Sequence, residues 1–266
     1  AIDLKIRIAL SDYLNSAPLG WSFLHGPFKG KFDVVPSVPA RCAEQLARGE
    51  VEIGLIPSIE YQRIPNIDII PGMAVASASK VHSVLLVQRP QSSKIHSVAL
   101  DTNSRTSVVL AKLLLELKMG LKPKYVLHAP DLPSMLNGCD AGVIIGDRAL
   151  RVSPEEYHLT DLAEAWMGWQ QRPFVFALWA CRSDRALPSD LMAVFQQAKE
   201  YGLKSRPEIA GIYSKKLGLP ETLLNNYLFE NVDYELGTRH IEGLEKFYSL
   251  AGEHGLIPGL KTLRFL

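Results

Sequence analysis

The sequence predicts an α/β protein of two lobes followed by a helical tail, and three observations predict it. Short β-rich runs alternate with helical segments twice over the first two thirds of the chain. Several of the runs are uninterrupted apolar stretches rich in Val and Ile, which suit parallel strands covered on both faces. After Asp184 the strand pattern stops and only helical segments follow. The 266 residues suffice for two lobes, each with its own core.

Residues 5–10 read as the first strand. The polar turn at 11–16 follows, and Pro18 suits the first turn of a helix. Residues 32–36 form a second strand, and 39–49 a helix with Cys42, Ala43, Leu46 and Ala47 at helical spacing. A short buried strand at 51–56 leads into a turn at Pro57 and Ser58, and strands at 67–70 and 82–88 complete the group. The second group opens with a strand at 97–100 that ends in Asp101-Thr102-Asn103-Ser104. A helix follows, because Val108, Leu110, Ala111, Leu114, Leu115 and Leu117 populate one broad apolar face. A strand at 124–128, a short helix at 130–137, a strand at 141–145 closed by Gly146-Asp147-Arg148, and a long strand at 174–181 come next. Helices at 189–203, 207–217, 220–229 and 238–253 form the tail, with Pro near several starts and Gly near several ends. The chain is expected to cross between lobes near 82–89 and 174–184. Lobe one then comprises residues 1–89 plus 185–266, and lobe two residues 90–184.

Composition excludes several function classes. Twenty-nine Lys and Arg balance 28 Asp and Glu, so the basic surplus that phosphate neutralisation needs is missing and no nucleic-acid partner is expected. The longest apolar run, residues 174–181, is strand-sized, so no membrane partner is expected. The opening AIDLKIRIAL has no apolar signal core, and a cytoplasmic location is the expectation. Cys42, Cys139 and Cys181 lack metal or disulfide spacing and read as buried thiols. The seven histidines are scattered, so no metal site is expected. Phosphate-loop, dinucleotide and nucleophile-elbow motifs do not occur. No feature sets an oligomeric state.

In open α/β sheets the ligand sits beyond the carboxyl ends of the strands. The residues there are Ser11, Tyr13, Asn15 and Ser16; Ser58; Thr102, Asn103, Ser104, Thr106 and Ser107; and Gly146 and Asp147. Five small polar residues in the six positions 102–107 exceed what capping one helix requires, although Thr102 or Ser104 can serve as an ordinary cap. Small side chains leave room for an anion to reach the N–H groups of a helix first turn, where the dipole favours negative charge. Arg105 is placed either to pair with that anion or to lie exposed. Asn15 and Ser16 form a second polar candidate in the opposite lobe, or a turn before Pro18. Two such sites suit a small dianion clamped between lobes. Trp166, Trp169 and Trp179 either line the cleft or pack in the core. His82 reads as structural, and the acidic runs at 155–156 and 161–164 as solvated faces.

Taken together, Ser11-Asp12-Tyr13-Leu14-Asn15-Ser16-Ala17-Pro18-Leu19, Gly54-Leu55-Ile56-Pro57-Ser58, Ser83-Val84-Leu85-Leu86-Val87 and Asp101-Thr102-Asn103-Ser104-Arg105-Thr106-Ser107 resemble the chorismate dehydratases of the futalosine-dependent menaquinone pathway. The resemblance continues through Ile145-Gly146-Asp147-Arg148-Ala149-Leu150, Asp161-Leu162-Ala163-Glu164-Ala165-Trp166 and Arg172-Pro173-Phe174-Val175-Phe176-Ala177-Leu178-Trp179, nearly the whole chain in order. It implies a two-lobed fold like that of type II periplasmic binding proteins, with a ligand cleft between lobes. It also implies that chorismate, a small dianion, loses water to give 3-[(1-carboxyvinyl)oxy]benzoate with no metal or organic cofactor. The substrate's own enolpyruvyl carboxylate has been suggested as base for that family. Asn15 is then expected at the catalytic position, orienting substrate and hydrogen-bonding developing charge. Ser16, Ser58, Ser83, Ser104, Thr106 and Ser107 are expected to bind substrate, and Gly146 and Asp147 to shape its pocket. Two alternatives stand beside this. The sister enzyme making dihydroxynaphthoate from cyclic dehypoxanthinyl futalosine uses a histidine where this chain has Ile145-Gly146-Asp147. A non-catalytic solute-binding protein shares the same fold.

Overall fold

The structure is a computed structural model describing residues 5–266. The first unit runs β1 (Arg7–Ser11), α1 (Ala17–His25), β2 (Asp33–Ser37), α2 (Pro39–Ala47), β3 (Ile53–Pro57), β4 (Ile67–Ile69) and β5 (Val75–Ser77). The chain then crosses to β6 (Val84–Gln88), β7 (Ser97–Asp101), α3 (Thr106–Leu113), β8 (Lys124–His128), α4 (Leu132–Gly138), β9 (Ala141–Ile145), α5 (Asp147–Leu150), β10 (His158–Asp161) and α6 (Leu162–Gln170). It returns through β11 (Phe174–Arg182) into the tail: α7 (Leu191–Lys204), α8 (Arg206–Leu217), α9 (Glu221–Asn226) and α10 (Thr238–Glu253).

Two sheets result, ordered β2-β1-β3-β11-β4, with β5 also on β11, and β8-β7-β9-β6-β10. Their logic is the same. In each, three parallel strands place the first between the second and third, and an antiparallel fourth strand adds to the third. That fourth strand is the one that arrives from the other lobe. β3 and β9 are buried at every residue, as strands covered on both faces must be. β2 and β8 lie at the sheet edges and are largely exposed, and Pro36 is tolerated on such an edge.

The lobe boundaries differ from the expectation. β6, expected in lobe one, pairs with β9 and β10 in the second sheet, and β11, expected in lobe two, pairs with β3, β4 and β5 in the first. The crossings therefore precede these strands instead of following them. β5, β10 and α6 were also not anticipated. Asp161, whose acidic run the sequence assigns to a solvated face, is the N-cap of α6. Its carboxylate is buried and accepts N–H groups from Ala163 and Glu164 in the helix and from Val81 and His82 in the crossing segment, at 2.8 to 3.2 Å. Glu155 and Glu156 are exposed as expected.

The main core runs through both lobes and the tail, and a second, smaller cluster around Leu85, Val87, Met135 and Ile144 covers the other face of the second sheet. Trp166 and Trp179 belong to the main core and not to the cleft: Trp166 packs edge-on against Phe174 and Phe247, and Trp179 against Phe195. Such T-shaped contacts suit the aromatic quadrupole. Trp169 rests half-buried on Trp166. The three cysteines are free and buried. The tail joins α1 through a close approach, because a Cβ on Gly202 of α7 falls 1.6 Å from the Pro18 carbonyl oxygen. Among the described residues, no helix is long and apolar enough to cross a membrane.

Candidate active site

The parallel strands of both sheets point their carboxyl ends at one cavity between the lobes, which the antiparallel β6 and β11 meet from their amino-terminal halves. Its lining includes Ser11 at the end of β1, Tyr13, Asn15 and Ser16 just after it, and Ser104, Arg105, Thr106 and Ser107 after β7. Ser83 and Gly146 complete the polar wall, and Leu55, Pro57 and Phe176 supply an apolar floor. The space between its walls is about 520 Å³, a volume that includes open solvent. The loop after β1 and the loop after β7 occupy equivalent positions in their sheets, so the repeated topology itself sets two polar clusters face to face.

Contacts between the lobes flank this cavity. The Leu14 N–H donates to Asp147 Oδ1 at 2.9 Å, the Ile59 N–H to Thr106 Oγ1 at 3.1 Å, and Arg105 Nη2 to Glu44 Oε1 at 3.1 Å. Arg105 is thus both a wall of the cavity and half of a cross-lobe ion pair.

α3 begins at Thr106 with no side chain capping it and no acid in its first turn. Thr102 and Ser104 therefore do not serve as side-chain caps there. Asp101 instead organises the turn, accepting the Asn103 N–H at 2.8 Å on one carboxylate oxygen, while the other is buried without a partner. Ser104 and Ser107 are buried, and among the described residues their hydroxyls have no protein partner. A helix start with free N–H groups and open hydroxyls is a ready anion cradle. Opposite it, Asn15 Oδ1 accepts the Ser16 hydroxyl at 3.1 Å, which leaves the Asn15 amide N–H₂ free to donate.

Of the expected site residues, Asn15, Ser16, Ser83, Ser104, Thr106, Ser107 and Gly146 line the cavity, and Ser58 and Asp147 do not. Ser58 is fully buried and donates its hydroxyl to the Val175 carbonyl at 2.7 Å. Asp147 is spent on Leu14 and acts as a cap supplied from the other lobe. Burial pushes its carboxyl up to about 6 and also raises Asp101. Burial, helped by these carboxylates, pushes the Tyr13 phenol up to about 12. Gly146 adopts φ 69° and ψ −149°, a region essentially reserved for glycine, and a Cβ there falls 2.6 Å from the Tyr13 ring. His82 lies on the back of the crossing, away from the cavity.

The sequence reading missed four tyrosines of the tail. Tyr213 donates to the Asp12 carbonyl at 2.8 Å, Tyr234 to the Asn15 carbonyl at 2.7 Å and Tyr248 to the Ser58 carbonyl at 2.5 Å. Tyr227 meets the Ser83 hydroxyl at 2.6 Å. Each props one cleft segment from behind. No sequence signal marks them, since the partners lie more than 140 residues away.

Among the described residues, no three or more His, Cys, Asp or Glu gather as a metal site, and the cavity lining contains no Asp, Glu, His, Lys or Cys. The arrangement can bind and orient an anion through neutral donors, one guanidinium and a helix start.

A family model described as menaquinone biosynthesis matches residues 6–253. A chorismate dehydratase of Thermus thermophilus is 33% identical over 263 residues, covering 92% of this chain and 94% of that protein. A protein of Archaeoglobus fulgidus of known crystal structure superposes with TM-score 0.79 at 20% identity, over 97% of this chain and all of that one. The periplasmic aliphatic sulphonate-binding protein SsuA of Escherichia coli superposes with TM-score 0.65 at 16% identity, over 98% and 93%. The fold is therefore that of the periplasmic binding proteins.

Proposed function

From the premise that the chain belongs to the menaquinone biosynthesis family, we propose that its inter-lobe cavity dehydrates chorismate to 3-[(1-carboxyvinyl)oxy]benzoate. One observation carries this reading. The cavity offers an uncapped helix start, buried hydroxyls, an amide and a single guanidinium, with no acidic side chain in its wall. Such a lining holds a small dianion without opposing its charge.

The start of α3, with Ser104, Ser107 and Arg105, takes one carboxylate, where charge-assisted hydrogen bonds are roughly twice as strong as neutral ones. Asn15, Ser16 and Ser83 face the rest of the molecule. Loss of the C3 proton and the C4 hydroxyl aromatises the ring, so the product is strongly favoured and the site has mainly to fix the reactive conformer. No group in the wall is suited to remove the proton at neutral pH, because the Tyr13 phenol is held protonated and the lining contains no carboxylate or imidazole. That favours the substrate's own enolpyruvyl carboxylate as base. Asn15 donates to the charge that develops as the proton moves. Closure of the lobes around bound substrate would exclude water from this step. The cavity wall also lacks the histidine of the dihydroxynaphthoate-forming enzyme, which counts against that alternative. A cytoplasmic location suits a biosynthetic enzyme of this kind.

The test is incubation of EDTA-treated protein with chorismate, followed by NMR and mass spectrometry. Loss of one water with new aromatic and enolpyruvyl signals is the expected result. Unchanged chorismate from protein of demonstrated native fold overturns the reading, and tight binding without turnover then points to a solute receptor.

A further inference from the structure

We propose that Tyr227 is a positioning residue that makes Ser83 a one-way hydrogen-bond donor into the cavity, aimed at an anionic oxygen of the substrate. The assignment rests on the dehydratase reading of the cleft.

Of the four propping tyrosines, Tyr227 alone meets a side chain, and that side chain lines the cavity. Its hydroxyl lies 2.6 Å from Ser83 Oγ, and Tyr227 and Ser83 are 2% and 0% exposed. Either oxygen has the geometry to donate, but the surroundings are not symmetric. Among the described residues, Tyr227 has no acceptor other than Ser83 Oγ. Ser83 borders the cavity, where a ligand oxygen can accept. If Ser83 donated, the phenolic proton would be stranded in the interior, and an unpaired buried donor is costly. Donation from Tyr227 to Ser83 satisfies both groups and leaves the serine proton facing the cleft.

Two further features fix the pair. The Ser83 carbonyl accepts the Gly146 N–H at 2.8 Å, so the serine backbone is tied to the end of β9, the neighbouring strand of its own sheet. Tyr227 opens a π-helical turn, Tyr227–Asn231, that continues α9, and such turns are frequent at functional sites. Burial keeps the phenol protonated well above its ordinary range, so it remains a donor at every working pH. A hydroxyl that accepts one hydrogen bond donates its own more strongly, because linked hydrogen bonds polarise one another.

The test measures kcat/KM for chorismate in the parent, Tyr227→Phe, Ser83→Ala and the double variant. Tyr227→Phe is expected to lower kcat/KM about tenfold in the parent, but less than about twofold once Ser83 is alanine. An equal loss in both backgrounds, or no loss in the parent, overturns the assignment, since a merely structural tyrosine acts without regard to Ser83. Neutron diffraction on crystals of the parent needs no variant to fold. A deuteron on the Tyr227 oxygen directed at Ser83 supports the assignment, and one running from Ser83 to Tyr227 overturns it. If the parent leaves chorismate unchanged, the dehydratase reading has failed, and the neutron measurement still decides the direction of donation.

Discussion

The carboxylate of Asp147, at the start of α5 in the second lobe, accepts the backbone N–H of Leu14 in the first lobe at 2.9 Å. Leu14 opens the short 3-10 turn that runs into α1, so Asp147 caps a helical start to which it is not covalently near. The first lobe's helix start thereby receives an anion from the protein itself, while the start of α3 in the second lobe receives none. A bound anion is accordingly directed towards α3. Opening the lobes breaks the Asp147 contact and exposes both groups to water.

The same contact gives a pH dependence. Burial raises the Asp147 carboxyl to about 6 in the folded chain, whereas an unfolded chain titrates it near ~3.9. Between those values the folded state binds more protons than the unfolded one, so this group's contribution to stability falls as pH rises from about 4 to about 6. Asp147→Asn keeps an oxygen for Leu14 and removes the charge. Its melting temperature relative to the parent is expected to rise from pH 4 to pH 7, by up to the equivalent of ~2 kcal/mol. A difference between the two proteins that stays constant with pH contradicts this.

Asn15 supplies the amide at the cleft face, while its carbonyl is held by Tyr234. Asn15→Ala leaves that backbone contact intact and removes only the side-chain donor. Turnover of chorismate is expected to fall by about two orders of magnitude, the usual consequence of losing a donor to developing charge. Asn15→Asp, which places an anion against the substrate, is expected to weaken binding as well, seen as a higher Kd for chorismate. Full turnover in Asn15→Ala removes this residue from the mechanism.

Gly146→Ala tests the closed arrangement of the lobes. The new methyl meets the Tyr13 ring of the opposite lobe at 2.6 Å, and the backbone at φ 69° already disfavours any side chain. The variant is expected to lose ~1–3 kcal/mol of stability in denaturant titration and to lose most of its turnover. Small-angle scattering in the presence of substrate is expected to show a more open molecule than the parent. A parent-like profile with parent-like activity shows that Tyr13 yields freely.

The order of elements was legible because the buried strands are uninterrupted apolar runs and the tail helices carry Pro and Gly punctuation. α10 spans the predicted 238–253 without change. The sheet to which β6 and β11 belong was not legible. Both are apolar on both faces, so either sheet accepts them, and only tertiary pairing decides. At the site, the hydroxyl cluster around Ser104 to Ser107 was legible because it exceeds what one cap requires. The direction of the Ser58 hydroxyl was not, since a serine after a strand looks the same whether it faces the cleft or the Val175 carbonyl. The propping tyrosines escaped notice for the same reason of distance: their partners come from sequence-remote loops.

Asp161 belongs to a run of acidic residues that sequence alone assigns to a solvated face, yet its side chain is buried. Its two oxygens serve the first turn of α6 and the crossing segment at Val81 and His82, where His82 has φ 63°. The left-handed backbone of a non-glycine residue is held there by a hydrogen bond to a buried carboxylate, so helix start and lobe crossing share one anchor. Asp161→Ala strands the N–H groups that this anchor satisfies and removes a helix cap. The cost is expected at about 3 kcal/mol, above the ~1 kcal/mol typical of a cap alone, because two of the donors lie outside the helix. Asp161→Asn retains one acceptor oxygen and is expected to lose roughly half as much. Because the crossing positions the lobes, hydrogen exchange at Val81 and His82 is expected to accelerate in Asp161→Ala together with that of α6. Acceleration confined to α6 reduces Asp161 to an ordinary cap and separates the crossing from it.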